Sequence, residues 1–281
     1  MEKKNNSGIL VGILIGIVIA VIVVGGLFVT KTISFTNKEN INNKEEKQNV
    51  DNEGINATTD EEKATYQITY EEEEYTTKRT DGTEVSKSTR NLPKITNAKN
   101  QMAADKITKF LTDRSNEEWE NNIKKMADQV IDLPYDGLGV KYLYETGVIT
   151  NNRLTFTLSM NGGFGGVGWL SEEGYNFDTK TGEVLTTKTV AENDEELKQY
   201  MLKKVTEKIE ELKKVEGNCI NENYQKNLEE EINRVGNWYF TTSEIKIKLQ
   251  KYSIACGAGG IIEIILPKEE ANKYLKEIYK I

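Results

Sequence analysis

The chain has 281 residues, with 37 Lys and Arg against 45 Asp and Glu, no His and two Cys. The absence of His excludes a Ser-His-Asp or Cys-His nucleophile, a His-ligated zinc and an imidazole base, and two Cys are too few for a four-thiolate metal site. The formal net charge of -8 argues against a nucleic-acid partner, because phosphate binding needs a concentrated excess of Lys and Arg. We therefore expect no metal, no cofactor and no nucleic acid, and a binding protein rather than an enzyme.

The amino end of the sequence predicts a membrane anchor. Residues 8–29 form an uncharged run rich in Ile, Val, Leu, Gly and Ala. As a helix this run would be about 33 Å long, enough to cross a hydrocarbon core of roughly 30 Å. The run is longer than the apolar region of a cleaved signal peptide, and no small-residue cleavage site follows it. Lys3 and Lys4 precede it, which favours a cytoplasmic stub over residues 1–7 and an extracellular location for the bulk of a single-pass protein in the cell membrane.

Two further sequence features bear on the predicted membrane anchor, one inside the span and one after it. Gly8, Gly12 and Gly16 are spaced by four and share one helical face, which would allow close approach in a homodimer, although Gly is common in membrane helices generally. Residues 30–63 are rich in Asn, Lys and Glu and carry few apolar residues. Such a segment cannot bury enough surface to offset its ordering entropy, so we expect a disordered, flexible linker.

The first half of the remaining body, taken in chain order, mixes strands and helices. Alternation over residues 66–70 predicts a strand, and Asp81-Gly82 predicts a hairpin turn to a second strand. Helical spacing predicts a helix over residues 98–111 with Met102 on its apolar side, and a second helix through Trp119 to Val130. A strand-rich block with turns at residues 151–152 and 178–182 then covers residues 140–187.

The second half continues with a long helix over residues 194–215, which begins after the N-cap Asn193 and ends before Gly217. A helix near residues 222–235, strands at 238–240, 244–250 and 260–266, and a last helix from Pro267 that carries Ile278 complete the prediction. Strands and helices alternate without a regular βαβ rhythm. The predicted fold class is therefore α+β, an antiparallel sheet with helices packed on it, preceded by one transmembrane helix and the linker.

Two segments of the body carry a resemblance to a known family. One contains Asn176-Phe177-Asp178-Thr179-Lys180-Thr181-Gly182 after a Gly-rich run, and the other contains Tyr252-Ser253-Ile254-Ala255 before a second Gly-rich run. Together they resemble the extracytoplasmic domain shared by RsiV-type anti-sigma factors and PdaC-type peptidoglycan deacetylases. Leu92-Pro93-Lys94-Ile95 resembles the accessory part that often precedes this domain. The resemblance implies an accessory part at residues 64–137 and an RsiV-like part at residues 138–281.

The resemblance also implies a function. It is typical of a membrane-tethered protein of the cell envelope, here of a Gram-positive bacterium, and in RsiV-type members of a domain that binds lysozyme. This chain lacks the His-bearing deacetylase segment, and the stub at residues 1–7 is too short for a sigma-binding segment. It also has Phe164-Gly165 where the family often has Ala-His, and Cys256-Gly257 where lysozyme-binding members tend to have Pro and an aromatic residue. We expect a binding or sensing module for lysozyme or another cationic protein.

The two Gly-rich loops supply the candidate binding residues, because a glycine backbone with aromatic anchors suits contact with a partner. Plain connections between strands would look the same, so both interpretations stay open. Cys219 and Cys256 would form a disulfide or remain two free thiols outside the membrane. The candidate partner-binding residues are Asn161, Gly163, Phe164, Trp169, Tyr252, Cys256 and Gly257.

Two acidic runs keep an enzymatic alternative open. Glu71–Glu74 and Glu229–Glu231 could supply the paired carboxylates of a cell-wall-active glycoside hydrolase. Adjacent Glu residues are more often a solvated face, and their charge would then steer a cationic partner toward the protein. An accessory subunit of an envelope complex is the remaining alternative.

Overall fold

The structure, a computed structural model, describes residues 66–165 and 168–281. The predicted stub at residues 1–7, the predicted transmembrane helix with Gly8, Gly12 and Gly16, and the linker at residues 30–63 lie outside the described residues. Within the described ranges, no helix combines the length and the apolar character required to cross a membrane. All described elements belong to one compact unit, Asp60–Ile281.

A five-stranded sheet with the order β1-β2-β3-β4-β5 forms the first half of this unit. Its neighbours pair antiparallel except β2 and β3, which run parallel at Arg90 opposite Tyr142. The predicted antiparallel sheet therefore contains one parallel pair, because a helical crossover rather than a hairpin connects β2 to β3. The strands are β1 (Gln67–Lys78), β2 (Glu84–Thr96), β3 (Gly139–Ile149), β4 (Arg153–Gly163) and β5 (Gly168–Asp178).

The crossover is one helical run rather than the two helices predicted. It consists of α1 (Gln101–Glu118), a π-helical turn (Trp119–Ile123) and α2 (Lys124–Gln129). The prediction for Met102 is wrong, since this side chain is 76% exposed. Residues three and four positions before the buried Ile107 share its face, whereas Met102 lies five positions before it. Ala104, Ile107 and Leu111 are the residues of α1 buried in the first core, and Ala103 and Ser115 are also buried.

The first hydrophobic core lies between this helical run and one face of β3, β4 and β5. Tyr144, Phe156 and Phe177 are among its fully buried side chains. Because side chains alternate along a strand, the residues between them point to the opposite face. There Asn161 of β4 stands directly opposite Leu170 of β5, and both are exposed.

The second half of the unit has its own core, between a three-stranded antiparallel sheet and the later helices. Asn193 caps the long helix as predicted, and its side chain accepts hydrogen bonds from the backbone of Glu195 and Glu196. The order of elements is α3 (Thr187–Val190), α4 (Asp194–Leu212), α5 (Gln225–Asn233), β6 (Trp238–Phe240), β7 (Glu244–Leu249), β8 (Ile262–Pro267) and α6 (Lys268–Ala271).

The long final helix predicted after Pro267 is wrong. Only the single α-helical turn α6 and a 3-10 turn at Glu277–Tyr279 form, and Ile278 is 56% exposed. The backbone of the segment pairs with a distant segment instead of with itself, since Leu275 bridges Ala191 and the Lys276 amide donates to the Val190 carbonyl at 2.9 Å. Residues 272–281 therefore form an irregular strap, with one 3-10 turn, that contacts both halves of the protein.

The two halves join where β6 crosses the face of β4 and β5 that points away from α1. The Gly174 amide donates to the Gly236 carbonyl at 2.8 Å, and the Asn176 side chain bonds to the backbone of both Trp238 and Phe240. The first sheet also crosses the predicted boundary between residues 137 and 138, because β3 pairs with β2. The α+β class is confirmed.

Candidate functional site

The two Gly-rich loops predicted to bind a partner are neighbours in the structure. One is the turn between β4 and β5, and the other is the connection between β7 and β8. The Lys251 ammonium donates to the Gly168 carbonyl at 3.0 Å, and the Glu172 amide donates to the side-chain oxygen of Gln250 at 3.3 Å. We call the area they share the loop surface, and define it as Asn161, Leu170, Lys251, Tyr252 and residues 256–260.

Tyr252 is the most prominent side chain of the loop surface. It is 60% exposed, and its backbone has a φ of 71°, a left-handed conformation that costs a non-glycine residue about 1–2 kcal/mol. Such strain is concentrated at functional sites, where it positions a side chain. A Cβ atom at residue 257 would lie 2.3 Å from the Tyr252 hydroxyl oxygen, so only glycine at this position leaves room for the ring. The predicted pair Tyr252 and Gly257 therefore acts as one unit.

A disulfide between Cys219 and Cys256 fixes this loop to the segment between α4 and α5, with a Cα–Cα distance of 5.5 Å. Ile220 and Ala255 form a β-bridge beside it, and the Cys256 amide donates to the Cys219 carbonyl at 3.0 Å. Of the two alternatives for the thiols, the structure contains the bonded one. Cys256, predicted as a partner-binding residue, is thus a cross-link that positions its neighbours.

Leu170 is a surface residue that the sequence analysis did not single out. It is 42% exposed and lies opposite Asn161. On the same strand it stands between Gly168, which Lys251 contacts, and Ser171, which Gln250 contacts. Trp169 and Leu170 are adjacent apolar residues on one strand, so their side chains must point to opposite faces. This alternation is the sequence feature that could have identified Leu170, because it places Leu170 on the opposite face of the sheet from Trp169.

Phe164 is not available to a partner, contrary to the prediction. Its side chain is only 4% exposed and packs against the first core, where it meets the ring of Trp169 edge-on at a centroid distance of 6.1 Å. Trp169 is half-buried against the same core. Gly163 is paired across the strands with Gly139 and Gly168. The turn folds back onto the core because an aromatic side chain there gains more from burial than from solvent.

A network of three charged residues around the buried Lys248 lies next to the loop surface. The Lys248 ammonium contacts the carboxylate of Glu172 on β5 and that of Glu263 on β8, the latter at 2.6 Å. Burial lowers the pKa of Lys248, but hydrogen bonds to the two carboxylates outweigh it and raise that pKa above its ordinary value. The hydrogen bond from Lys248 also lowers the pKa of Glu263. Charged pairs thus tie the two sheets together beside the loops.

The acidic runs hold the fold together. In the first run Glu73 accepts from Arg90 and from the Trp119 indole at 3.0 Å. In the second run Glu231 is buried, pairs with Arg234 at 2.8 Å and accepts from Asn237 at 2.8 Å. These carboxylates therefore have structural partners.

Two clefts in the described part of the chain do not pair carboxylates. A cleft of about 160 Å³ at the junction of the halves has Asp194 as its acidic residue, bonded to Lys198 at 2.8 Å. A groove of about 310 Å³ beside α1 has Asp105 and Asp113, which are eight residues apart on one helix and thus separated by about 12 Å along its axis. Glycoside hydrolysis needs a separation of about 5–9.5 Å. Among the described residues, no cluster of three or more His, Cys, Asp or Glu is placed to hold a metal ion.

Comparisons with known proteins find a family model that matches part of this chain. Residues 188–269, which include α4, all three strands of the second sheet and the loop with Tyr252, match a model described as "Protein of unknown function (DUF3298)". No curated protein matches the chain.

Two solved structures are similar to the chain. One is a member of the DUF3298 family from Bacteroides fragilis, with 17% identity and a TM-score of 0.50 over 76% of this chain and 95% of that one. The other is a DUF3298 family protein from Pseudomonas aeruginosa, with 14% identity and a TM-score of 0.49 over the same shares. The chain thus contains a segment that matches the DUF3298 family, and it shares its fold with the Bacteroides fragilis protein.

Proposed function

We propose that this protein is a binding or sensing module of the cell envelope, anchored through residues 8–29, that holds a cationic protein on the loop surface. The observation that carries the proposal is the contact between the two loops, in which Lys251 reaches Gly168, with the strained Tyr252 and Leu170 both exposed on the loop surface. Strain at an exposed tyrosine contributes nothing to stability, so a role in contact explains its presence. Lysozyme is the first candidate partner, on the resemblance to RsiV-type domains.

The chemistry of the surface fits a protein partner. Tyrosine is enriched among residues that dominate binding energy, and the exposed Leu170 adds apolar area that a partner can remove from water. Long-range attraction comes from the net charge of -8, which raises the association rate of a cationic protein and is weakened by salt. The Lys248 network keeps both loops in place before binding, which lowers the entropic cost of association.

The test is a calorimetric titration of the unit Asp60–Ile281 with lysozyme at low and moderate salt. We expect binding that weakens with salt, and a loss of affinity of at least tenfold in both Tyr252→Ala and Leu170→Ala. Ile278→Ala is the matched control, because Ile278 is exposed and its carbonyl contacts Asn152, at the opposite end of β4 from Asn161.

Two results would contradict the proposal in different ways. No heat with lysozyme would remove this partner. Binding that both surface variants retain would remove the loop surface as the site, whatever the partner is.

A further inference from the structure

The conformation of the loop that carries Tyr252 depends on few contacts. Between β7 and β8 the chain has a single short 3-10 turn at Gly257–Gly259, and it then passes through Gly260 at a φ of 66°. The opposing segment, which connects α4 to α5, is also irregular. Besides the disulfide, two backbone hydrogen bonds join them, from Cys256 to Cys219 and from Asn221 to Ile254 at 2.9 Å.

The disulfide lies at a partly exposed position. Cys219 and Cys256 are both half-buried, and Cys219 packs against the second core. The residues that follow Cys256 are Gly257, Ala258 and Gly259, so no large side chain from that stretch covers the sulfur atoms. Gly259 lies beside the Cys219 sulfur, since a Cβ atom at residue 259 would be 3.5 Å from it, and glycine places no side chain there. Access is a main determinant of the rate of thiol–disulfide exchange.

We propose that the bond between Cys219 and Cys256 is a redox latch that controls the loop surface. A thiolate of a dithiol reductant attacks one sulfur and forms a mixed disulfide, and its second thiol then displaces the remaining cysteine. The two electrons pass to Cys219 and Cys256, which end as thiols, and the reductant ends as a cyclic disulfide. The effect on partner binding rests on the proposed function, whereas the opening of the loop does not.

Reduction should loosen the loop without unfolding the protein. The two backbone hydrogen bonds remain, but each contributes only a modest net free energy, and the glycines at positions 257, 259 and 260 gain much conformational freedom on release. The Tyr252 ring, which rests against Gly257, would lose its support. Ile254 and Ala255 are buried in the second core, so the change should stop there.

The test uses the full chain in detergent, with dithiothreitol as the reductant. Because the chain has two Cys, a thiol-reactive label reports on this bond alone. We expect labelling of the reduced, still folded protein, and amide hydrogen exchange at least tenfold faster at residues 219–221 and 256–260, with exchange in β4 and β5 unchanged. The double variant Cys219→Ser, Cys256→Ser should show the same exchange without reductant and no further change with it.

Three outcomes would overturn the latch. The bond could resist dithiothreitol until denaturant is added, exchange in the loop could stay the same after reduction, or reduction could speed exchange in both cores alike. The wild-type reduction decides these points even if the double variant fails to fold.

A lysozyme titration before and after reduction separates the two proposals. At least tenfold weaker binding after reduction supports both. If reduction opens the loop but the protein binds no lysozyme in either state, the redox latch is supported and lysozyme is excluded as the partner.

Discussion

Gly174 lies where the two sheets meet, and replacing it with alanine tests how closely they are packed. A Cβ atom at residue 174 would lie 2.0 Å from Cδ1 of the Tyr239 ring and 2.5 Å from its Cβ, whereas carbon atoms in contact are normally about 3.5–4.0 Å apart. Overpacking of this kind costs roughly 1–3 kcal/mol. Moving β6 away would also weaken the 2.8 Å hydrogen bond from Gly174 to Gly236, worth about 1 kcal/mol. We expect Gly174→Ala to lower the free energy of unfolding by about 3 kcal/mol.

The assay is urea unfolding of the unit Asp60–Ile281, followed by tryptophan fluorescence. In a Tyr239→Ala background the ring is gone and only the longer contact, 2.5 Å to the Cβ atom of residue 239, remains. Gly174→Ala should therefore cost about 1 kcal/mol there, a coupling of about 2 kcal/mol. Gly168→Ala on the same strand is the control, because the nearest atom to its Cβ would be 3.6 Å away, and it should change stability by less than about 0.5 kcal/mol. An equal cost of Gly174→Ala in both backgrounds would refute the steric argument.

Three further predictions concern other parts of the fold. Burial raises the pKa of Glu73, but Arg90, Trp119 and Lys124 together outweigh it and lower that pKa. The stability that Glu73 contributes is therefore present above its unfolded pKa and is lost as pH falls through its folded pKa. Between about pH 6 and about pH 3 the free energy of unfolding should fall less in Glu73→Gln than in the wild type. Tyr252→Gly should relieve backbone strain and stabilise the protein by about 0.5 kcal/mol in urea, while it weakens partner binding. Tyr279→Ala should cost about 3 kcal/mol in the same assay, because the buried ring donates to Asp178 at 3.0 Å.

Each of these predictions has a control that can contradict it. Glu72→Gln, at an exposed neighbouring position, should leave the acid dependence as it is, and an equal effect of both variants would remove the role given to Glu73. Tyr252→Ala keeps a Cβ in the left-handed conformation, so a stabilisation equal to that of Tyr252→Gly would show that strain is not the cause. A Tyr279→Ala protein as stable as the wild type would mean that the strap is not held by this ring.

Local signals explain which parts of the fold could be predicted from the sequence. The helix α4 was predictable because its cap Asn193 and its apolar stripe are both encoded within one segment. The final helix was mispredicted because the bridge between Leu275 and Ala191 is a contact with a segment far away in the chain. Phe164 is flanked by glycines and looks like a loop residue, yet its burial depends on where the helical crossover lies.

The candidate site shows the same division. Tyr252 was identified because it belongs to a motif that resembles the family, but its left-handed backbone and its proximity to Gly257 are visible only in the folded structure. Leu170 was missed because the choice of which of two adjacent apolar residues faces solvent depends on the register of β4 and β5. No local pattern indicates that Lys251 reaches Gly168 from a loop more than eighty residues later in the chain.

The C-terminal strap makes the two cores depend on each other. The Tyr279 carbonyl accepts a hydrogen bond at 2.9 Å from the buried guanidinium of Arg153, which begins β4 of the first sheet, while Lys276 is bonded to Val190 in the second half. The contact between Arg153 and Tyr279 spans 126 residues, so a large loop must close before it forms and the first sheet completes its last contacts late in folding. If either half unfolds, the strap loses its contacts with that half and holds the remaining half less firmly. The body should therefore lose its structure in one cooperative step rather than as two separate domains.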